Sequence, residues 1–243
     1  MTPAVHSETI INGSAHDGEG VAWKDIQPDQ ECEYRCALHA VPVERFLPEP
    51  ASVEELQLVQ RLFFLCGKER TPRIVVFCGV EPKDCAEIVC ARTAEILSGL
   101  VKDSICLMDA NFRSPTLHLR YQLDGIPGSS RTREEASSQN SEYIHDPNLW
   151  ALPAATLKND AQGLVPDLVR EQFIRLRERF GFLFICAPPL STEPEGFLLG
   201  QMADGVVLTL LANSTRKAAV HKVRRSLDLY NIRVLGAVVN QIV

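Results

Sequence analysis

The 243-residue chain has no apolar run approaching the length that crosses a bilayer, and its first twenty residues lack the basic-then-apolar order of a leader segment. Both absences point to a cytoplasmic protein. An excess of base is missing too. The 25 Lys and Arg face 31 Asp and Glu, and the net charge of −6 argues against a general nucleic-acid-binding surface while leaving room for a local basic patch. The eight cysteines include no CxxC pair, and Cys78, Cys90, Cys106 and Cys186 fall inside apolar runs, where reduced thiols behave as small buried hydrophobes. Cys32, Cys36 and His39 come nearest to a metal cluster. Structural zinc needs a fourth ligand and a closely spaced pair, so these read as incidental thiols and no metal site is expected.

What is present suits one α/β domain with an extension, since two full domains would need more chain. Residues 1–50 show little periodicity and read as a flexible N-terminal extension; residues 51–243 form the domain. From Ser52 to Leu65 the apolar positions Leu56, Leu58, Val59, Leu62 and Phe63 recur at helical spacing. Arg73 to Gly79 is a continuously apolar run ending in glycine, as a strand buried on both faces reads, and a helix is expected from about Asp84 to Leu100. Further strands are expected at Ser104–Asp109, Asn148–Pro153, Phe182–Cys186, Val206–Leu211 and Val234–Val239, with helices at Val165–Phe180 and Thr215–Tyr230. The segment 125–142, rich in Ser, Gly and charge, reads as a variable surface insertion. Alternation of this kind gives a three-layer α/β sandwich around a mostly parallel sheet.

In such a sheet the ligand site lies beyond the carboxyl ends of the strands. Four ordered segments there carry a resemblance: Leu107-Met-Asp-Ala-Asn-Phe-Arg-Ser-Pro-Thr-Leu-His118, Asn148-Leu-Trp-Ala-Leu-Pro153, Ala203-Asp-Gly-Val-Val-Leu-Thr-Leu210 and Val234-Leu-Gly-Ala-Val-Val-Asn240. Over about Val53 to Val243 the chain resembles the ATP-binding domain of the bacterial tyrosine autokinases of capsule and exopolysaccharide synthesis, relatives of the Min and Par-type ATPases. The resemblance implies a P-loop NTPase-like fold and a Pro-Gly-Glu-Gly-Lys-Ser/Thr loop after the first strand. In that loop glycines let N–H groups wrap the phosphates, a lysine neutralises them and a hydroxyl reaches magnesium.

The aligned residues here are Pro82-Lys83-Asp84-Cys85-Ala86-Glu87, without the glycines, the lysine or the hydroxyl. Glu87 takes the place of the magnesium-binding hydroxyl, and a carboxylate about 4 Å from a phosphate oxygen is repelled by roughly 4 kcal/mol at an effective dielectric of about 20. Asp84 and Glu87 also have the i, i+3 spacing of a capping box, so the chain is expected to supply its own anion to the helix N-terminus.

The remaining motif positions are eroded by the same comparison. In the second acidic motif Asp109 stands, either as a metal-site carboxylate or as a strand-end residue capping a turn, while Asn111 replaces the second aspartate. Arg113, with Pro115, either holds an anion or fixes its own loop. Cys186 replaces the carboxylate of the Walker B strand, and a thiol does not suit magnesium. Asn240 matches an adenine-facing position, although Asn after a strand is also a common turn residue. Glu55, Leu58 and Arg61 stand where relatives carry the Glu-x-x-Arg-x-x-Arg motif linked to ring assembly. They read either as one arm of a homo-oligomer contact or as a surface helix packed through its leucines.

These readings converge on a pseudo-kinase without catalytic residues, a regulatory or interaction subunit beside a membrane-bound polysaccharide chain-length or export protein. No cofactor and no nucleic-acid partner are expected; ATP and Mg enter only if the chain is an active tyrosine autokinase. Its location would then be cytoplasmic, peripheral at the inner face of the membrane through that partner. A Min/Par-type spatial-organisation protein is the third reading.

Overall fold

The structure, a computed structural model, describes residues 5–10, 50–65, 71–111, 115–121, 142–143, 148–152, 158–159 and 163–242. In chain order the elements begin with β1 (Val5–Ile10), α1 (Val53–Val59) continued by a π-turn (Gln60–Phe64), β2 (Ile74–Gly79), α2 (Ala86–Ser98), β3 (Ile105–Asp109) and α3 (Leu117–Arg120). There follow β4 (Glu142–Tyr143), β5 (Leu149–Leu152), the short strands β6 (Lys158–Asn159) and β7 (Gly163–Leu164), and α4 (Pro166–Arg179). The chain ends with β8 (Phe182–Ala187), α5 (Glu195–Met202), β9 (Gly205–Leu211), α6 (Lys217–Leu229) and β10 (Val234–Ile242). The main sheet has the order β1-β10-β9-β2-β8-β3-β5-β4. Its inner strands, from β10 to β5, run parallel, and the edges β1 and β4 are antiparallel.

Strand β2 shows why the sheet sits in the middle of three layers. Side chains alternate across a strand, so Ile74, Val76 and Cys78 enter one core while Val75 and Phe77 enter the other. The first core is covered by Val169 and Phe173 of α4, Leu199 of α5, and Val223 and Leu227 of α6. The second is covered by Leu58, Leu62 and Phe63 around α1 and by Val89, Cys90 and Leu97 of α2. Both faces are therefore apolar, which is why these strands read as unbroken hydrophobic runs. The fold is the expected α/β sandwich. Helix α1 starts with a capping box in which Ser52 Oγ accepts from Glu55 N and Glu55 Oε2 accepts from Ser52 N.

Six elements lie outside the sequence reading: the short α3, β4, β6 and β7, and the longer β1 and α5. Within the stretch expected to be a loose extension, Val5–Ile10 forms β1 and pairs along β10 from Ile242 to Ala237. A mixed polar hexapeptide gives little strand signal, but β10 would otherwise present an edge of unpaired N–H and C=O groups. Helix α5 also escaped the reading because Gly196 and Gly200 weaken helical propensity. A Cβ on Gly196 would lie 2.6 Å from Leu190 Cδ2, and one on Gly200 2.9 Å from Val206 Cγ2, so the helix lies too close to its neighbours for larger residues. The Cys32, Cys36 and His39 group lies outside the described residues, as does nearly all of the 125–142 insertion.

The aromatic centre of the second core offers a test. Phe184 is fully buried, stacked on Phe63 at 5.3 Å between ring centroids and tilted against Phe77 at 5.5 Å. Phe184→Ala is expected to cost about 3–5 kcal/mol in urea unfolding, the usual range for emptying a close-packed aromatic site.

Candidate functional site

The carboxyl ends of β2, β3, β8, β9 and β10 meet around the loop Val80–Cys85. Gly79 begins it, and only glycine fits, because a Cβ there would lie 2.8 Å from the Glu81 carbonyl oxygen and 3.1 Å from Asp84 Cβ. The loop then closes on itself and on the next strand. Val80 N donates to Thr209 O at 3.2 Å, and Asp84 N donates to Glu81 O at 3.1 Å.

Asp84 is completely buried at the centre of this loop. Its Oδ2 accepts from Glu81 N at 2.7 Å; its Oδ1 accepts from Thr215 Oγ1 at 2.6 Å and from Leu211 N at 3.2 Å. Glu81 adds a second tie to the same place: Oε2 accepts from Arg216 N at 2.9 Å, and Oε1 accepts from Arg216 Nε at 2.8 Å. Asn240 donates from Nδ2 to Asp84 O at 3.3 Å. Two carboxylates and one amide thus fasten the loop after β2 to the β9–α6 junction and to β10.

The expected capping box is not what forms. The N-cap of α2 is Cys85, which has no side-chain cap bond, and Asp84 points back into the loop rather than onto the helix. Cys85 explains the change, since its φ of 49° and ψ of 47° are left-handed and reverse the chain between Asp84 and Ala86. This left-handed position is one where the resemblance places a glycine, the residue that adopts it most readily. Cys85 Sγ lies 3.3 Å from Lys83 O. The chain does supply an internal anion, but it supplies it to the loop N–H groups of Glu81 and Leu211.

Ala86, at the lysine position, is buried, whereas Pro82 and Lys83 are exposed at the tip of the loop. Glu87 is half-buried in the first turn of α2, with its carboxyl pushed above the usual range by burial and by Asp109 nearby, despite a bond to its own backbone N–H. Asp109 accepts through Oδ1 from Asn111 N at 3.0 Å, and through Oδ2 from Thr116 N at 2.9 Å and Leu117 N at 3.0 Å. Of its two sequence readings, the turn-capping one describes what the carboxylate does here. Asn111 contributes its backbone N–H to that turn. Arg113 lies outside the described residues.

Cys186 is buried and paired in register with Asp109 across the sheet, and burial pushes its thiol well above the usual range. It is therefore a neutral core thiol rather than a metal ligand. Asn240 is not a turn residue as one reading had it; it lies within β10, which runs on to Ile242 because β1 pairs there. Its Oδ1 is buried without a hydrogen-bond partner, as is Thr209 Oγ1 on the neighbouring strand β9.

Tested against magnesium-ATP, the residues present do not fit. Ala86 brings no charge at the lysine position, Glu87 brings a carboxyl where a hydroxyl is needed, and Cys186 offers a soft thiol in place of a carboxylate. Among the described residues no group of three or more His, Cys, Asp or Glu is placed to hold a metal ion. The assembly motif is altered as well. Glu55 holds Arg92 of α2 at 2.9 Å, Arg92 holds Glu95 at 3.1 Å, and Glu95 reaches Arg120 and Tyr121, so the Glu55 side chain is engaged within its own subunit. Leu58 is buried and Arg61 is exposed. The helix packs through its leucines.

No protein-family model matches the chain. Tyrosine-protein kinase YwqD of Bacillus subtilis is 21% identical over 196 residues, covering 79% of this chain and 82% of the relative. The kinase domain of the Escherichia coli tyrosine kinase ETK superposes with a TM-score of 0.63 at 12% identity, covering 78% of this chain and 74% of that one. A plasmid partition protein from Borrelia burgdorferi superposes with a TM-score of 0.51 at 11% identity, covering 67% of this chain and 76% of that one. The fold is that of the P-loop ATPases, and the relatives it is similar to in sequence are bacterial tyrosine-protein kinases.

The buried Asp84 gives this site a pH signature. Burial raises its carboxyl to about 6, against the bonds from Thr215, Glu81 and Leu211 that act to lower it. A raised folded-state value means that the associated stability is complete below the unfolded carboxylate range and is lost as pH rises through about 6. The rise from 3.8 to about 6 corresponds to about 3 kcal/mol, at about 1.4 kcal/mol per pH unit. Asn keeps Oδ1 as the acceptor for Glu81 N and can donate from Nδ2 to Thr215 Oγ1, while the Leu211 N–H gives up its bond to residue 84 and keeps the one it donates to Thr215 Oγ1 at 2.7 Å. Urea midpoints between pH 5 and pH 7.5 are expected to fall in the wild type and to vary markedly less in Asp84→Asn.

Proposed function

We propose that the chain is a non-catalytic, P-loop ATPase-like subunit, a pseudo-kinase that regulates or bridges partners in capsular or exopolysaccharide biosynthesis and export. The observation that carries the reading is the residue set of the loop after β2, where Ala86 is buried at the lysine position and Glu87 stands at the hydroxyl position. A triphosphate would meet no lysine at Ala86 and, in the first turn of α2, the half-buried carboxyl of Glu87. The resemblance carried by the sequence motifs suggests the process, the relatives support a tyrosine-kinase-like origin, and the departures at Ala86, Glu87 and Cys186 support the loss of chemistry.

As such a subunit the chain acts through its surfaces. It would work in the cytoplasm, at the inner face of the membrane, beside a membrane-bound chain-length or export protein. The active-kinase reading requires a magnesium site, for which Asp109 and Cys186 are poorly suited: Asp109 accepts three loop N–H groups and Cys186 is a buried thiol. The partition-type reading rests on a more distant fold likeness with no sequence relative beside it.

Calorimetric titration with magnesium-ATP is expected to give no binding up to millimolar nucleotide, and incubation with labelled ATP no phosphotyrosine on the chain. Micromolar binding, or ATP-dependent tyrosine phosphorylation, would replace this reading with that of an active kinase. Affinity purification from the native host should recover a polysaccharide chain-length or export protein; recovery of a division or partition protein instead would transfer the chain to the third reading.

A further inference from the structure

The segment Arg216–Arg225, Arg-Lys-Ala-Ala-Val-His-Lys-Val-Arg-Arg, carries five Lys and Arg and no Asp or Glu, in a chain whose net charge is −6. It forms the N-cap and first nine residues of α6, which buries Val223 and Leu227 against the sheet. Lys217, His221, Lys222, Arg224 and Arg225 are all exposed on the opposite side. Arg216 is committed to Glu81 and is left out of the count. Among the described residues Lys217, Lys222, Arg224 and Arg225 have no carboxylate in ion-pair distance. Four cations on one exposed helix face, with Asp228 the one carboxylate of the helix and set at the C-terminal end of that face, make a local positive patch in a protein of the opposite overall sign.

The same helix carries apolar surface in line with the cations. Leu229 is 79% exposed and Tyr230 46%. Leu229 follows Arg225 by four residues and Lys222 by seven, so the three share one stripe along the helix. Tyr230 packs one edge on Phe197 of α5 at 5.5 Å, which holds its ring at the end of that stripe. A row of cations running into an exposed leucine and a tyrosine suits an interface where anionic headgroups meet acyl chains. A nucleic-acid backbone would use the cations and leave the leucine in water.

We propose that the exposed face of α6 is a docking surface for an anionic phospholipid membrane, with Lys217, Lys222, Arg224 and Arg225 over the headgroups and Leu229 and Tyr230 at their apolar border. The contact is peripheral, weak and salt-sensitive, because a few cations and one aliphatic side chain fall short of a stable anchor on their own. It is independent of the nucleotide site and of any protein partner. Were the chain recruited to a membrane protein, the lipid contact would raise the effective concentration at that partner.

Vesicle flotation tests this directly on the full chain, with phosphatidylglycerol–phosphatidylethanolamine vesicles against pure phosphatidylcholine vesicles, each at low and high salt. Binding is expected on the anionic vesicles at low salt only. The double variant Lys222→Gln with Arg225→Gln should weaken it at least tenfold, and Leu229→Ser should weaken it while leaving the salt dependence unchanged. Unfolding midpoints equal to the wild type would confirm that these exposed substitutions leave the fold intact. Absence of binding to anionic vesicles, equal binding by the double variant, or tighter binding to random-sequence duplex DNA than to vesicles would each overturn the proposal. Because no partner or nucleotide is present, failure here leaves the pseudo-kinase reading standing, and the reverse also holds.

Discussion

A carboxylate with no access to water holds together the part of this molecule where function is expected. Asp84 is placed between the loop after β2 and the junction of β9 with α6, and it accepts from a backbone N–H on each side and from the hydroxyl of Thr215. Burying such a charge is unfavourable unless it is well bonded. Its raised carboxyl shows that the bonds compensate only in part. The same N–H groups would be unfavourable without an acceptor, so removing the carboxylate and leaving nothing would also be costly. The loop is thus a balance between an anion and the donors that need one.

That balance explains the neighbouring residues. Cys85 takes a left-handed backbone, a strain for any residue but glycine, and this turn directs Asp84 inward while α2 starts in the opposite direction. Glu81 lies against Arg216, drawing the start of α6 to the loop, and Asn240 reaches across from β10 to the Asp84 carbonyl. The unpartnered Oδ1 of Asn240 and the hydroxyl of Thr209 are the polar groups this network leaves over. Both lie on strands beneath the loop, Asn240 on β10 and Thr209 on β9.

How much of this could be read from sequence depended on whether the determining contacts were local. Strands β2, β3, β8 and β9 were legible because each is buried on both faces, and α2, α4 and α6 because their periodicity shows one apolar side. Helix α5 was not, since its glycines answer to Leu190 and Val206, which only the folded chain brings near. Strand β1 was hidden for a similar reason, its partner being at the other end of the chain. At the site, the loss of lysine, hydroxyl and Walker B carboxylate was visible as residue identities at Ala86, Glu87 and Cys186. The role of Asp84 was not, because spacing alone paired it with Glu87, whereas its partners Leu211 and Thr215 are 127 and 131 positions away.

The distinction between a damaged ATPase and a domain organised without nucleotide turns on those distant partners. Loss of a lysine by drift would leave donors that face an empty cradle, and the loop would have little reason to hold one shape. Here the loop groups find partners within the protein. Asp84 needs Thr215 and the Leu211 N–H, Glu81 needs Arg216, and the whole arrangement needs a residue that accepts the left-handed turn at position 85. The polar groups of Asp84 and Glu81 are thus met by protein atoms. A loop stabilised in this way has its shape set by bonds among protein groups, several of them between residues far apart in sequence.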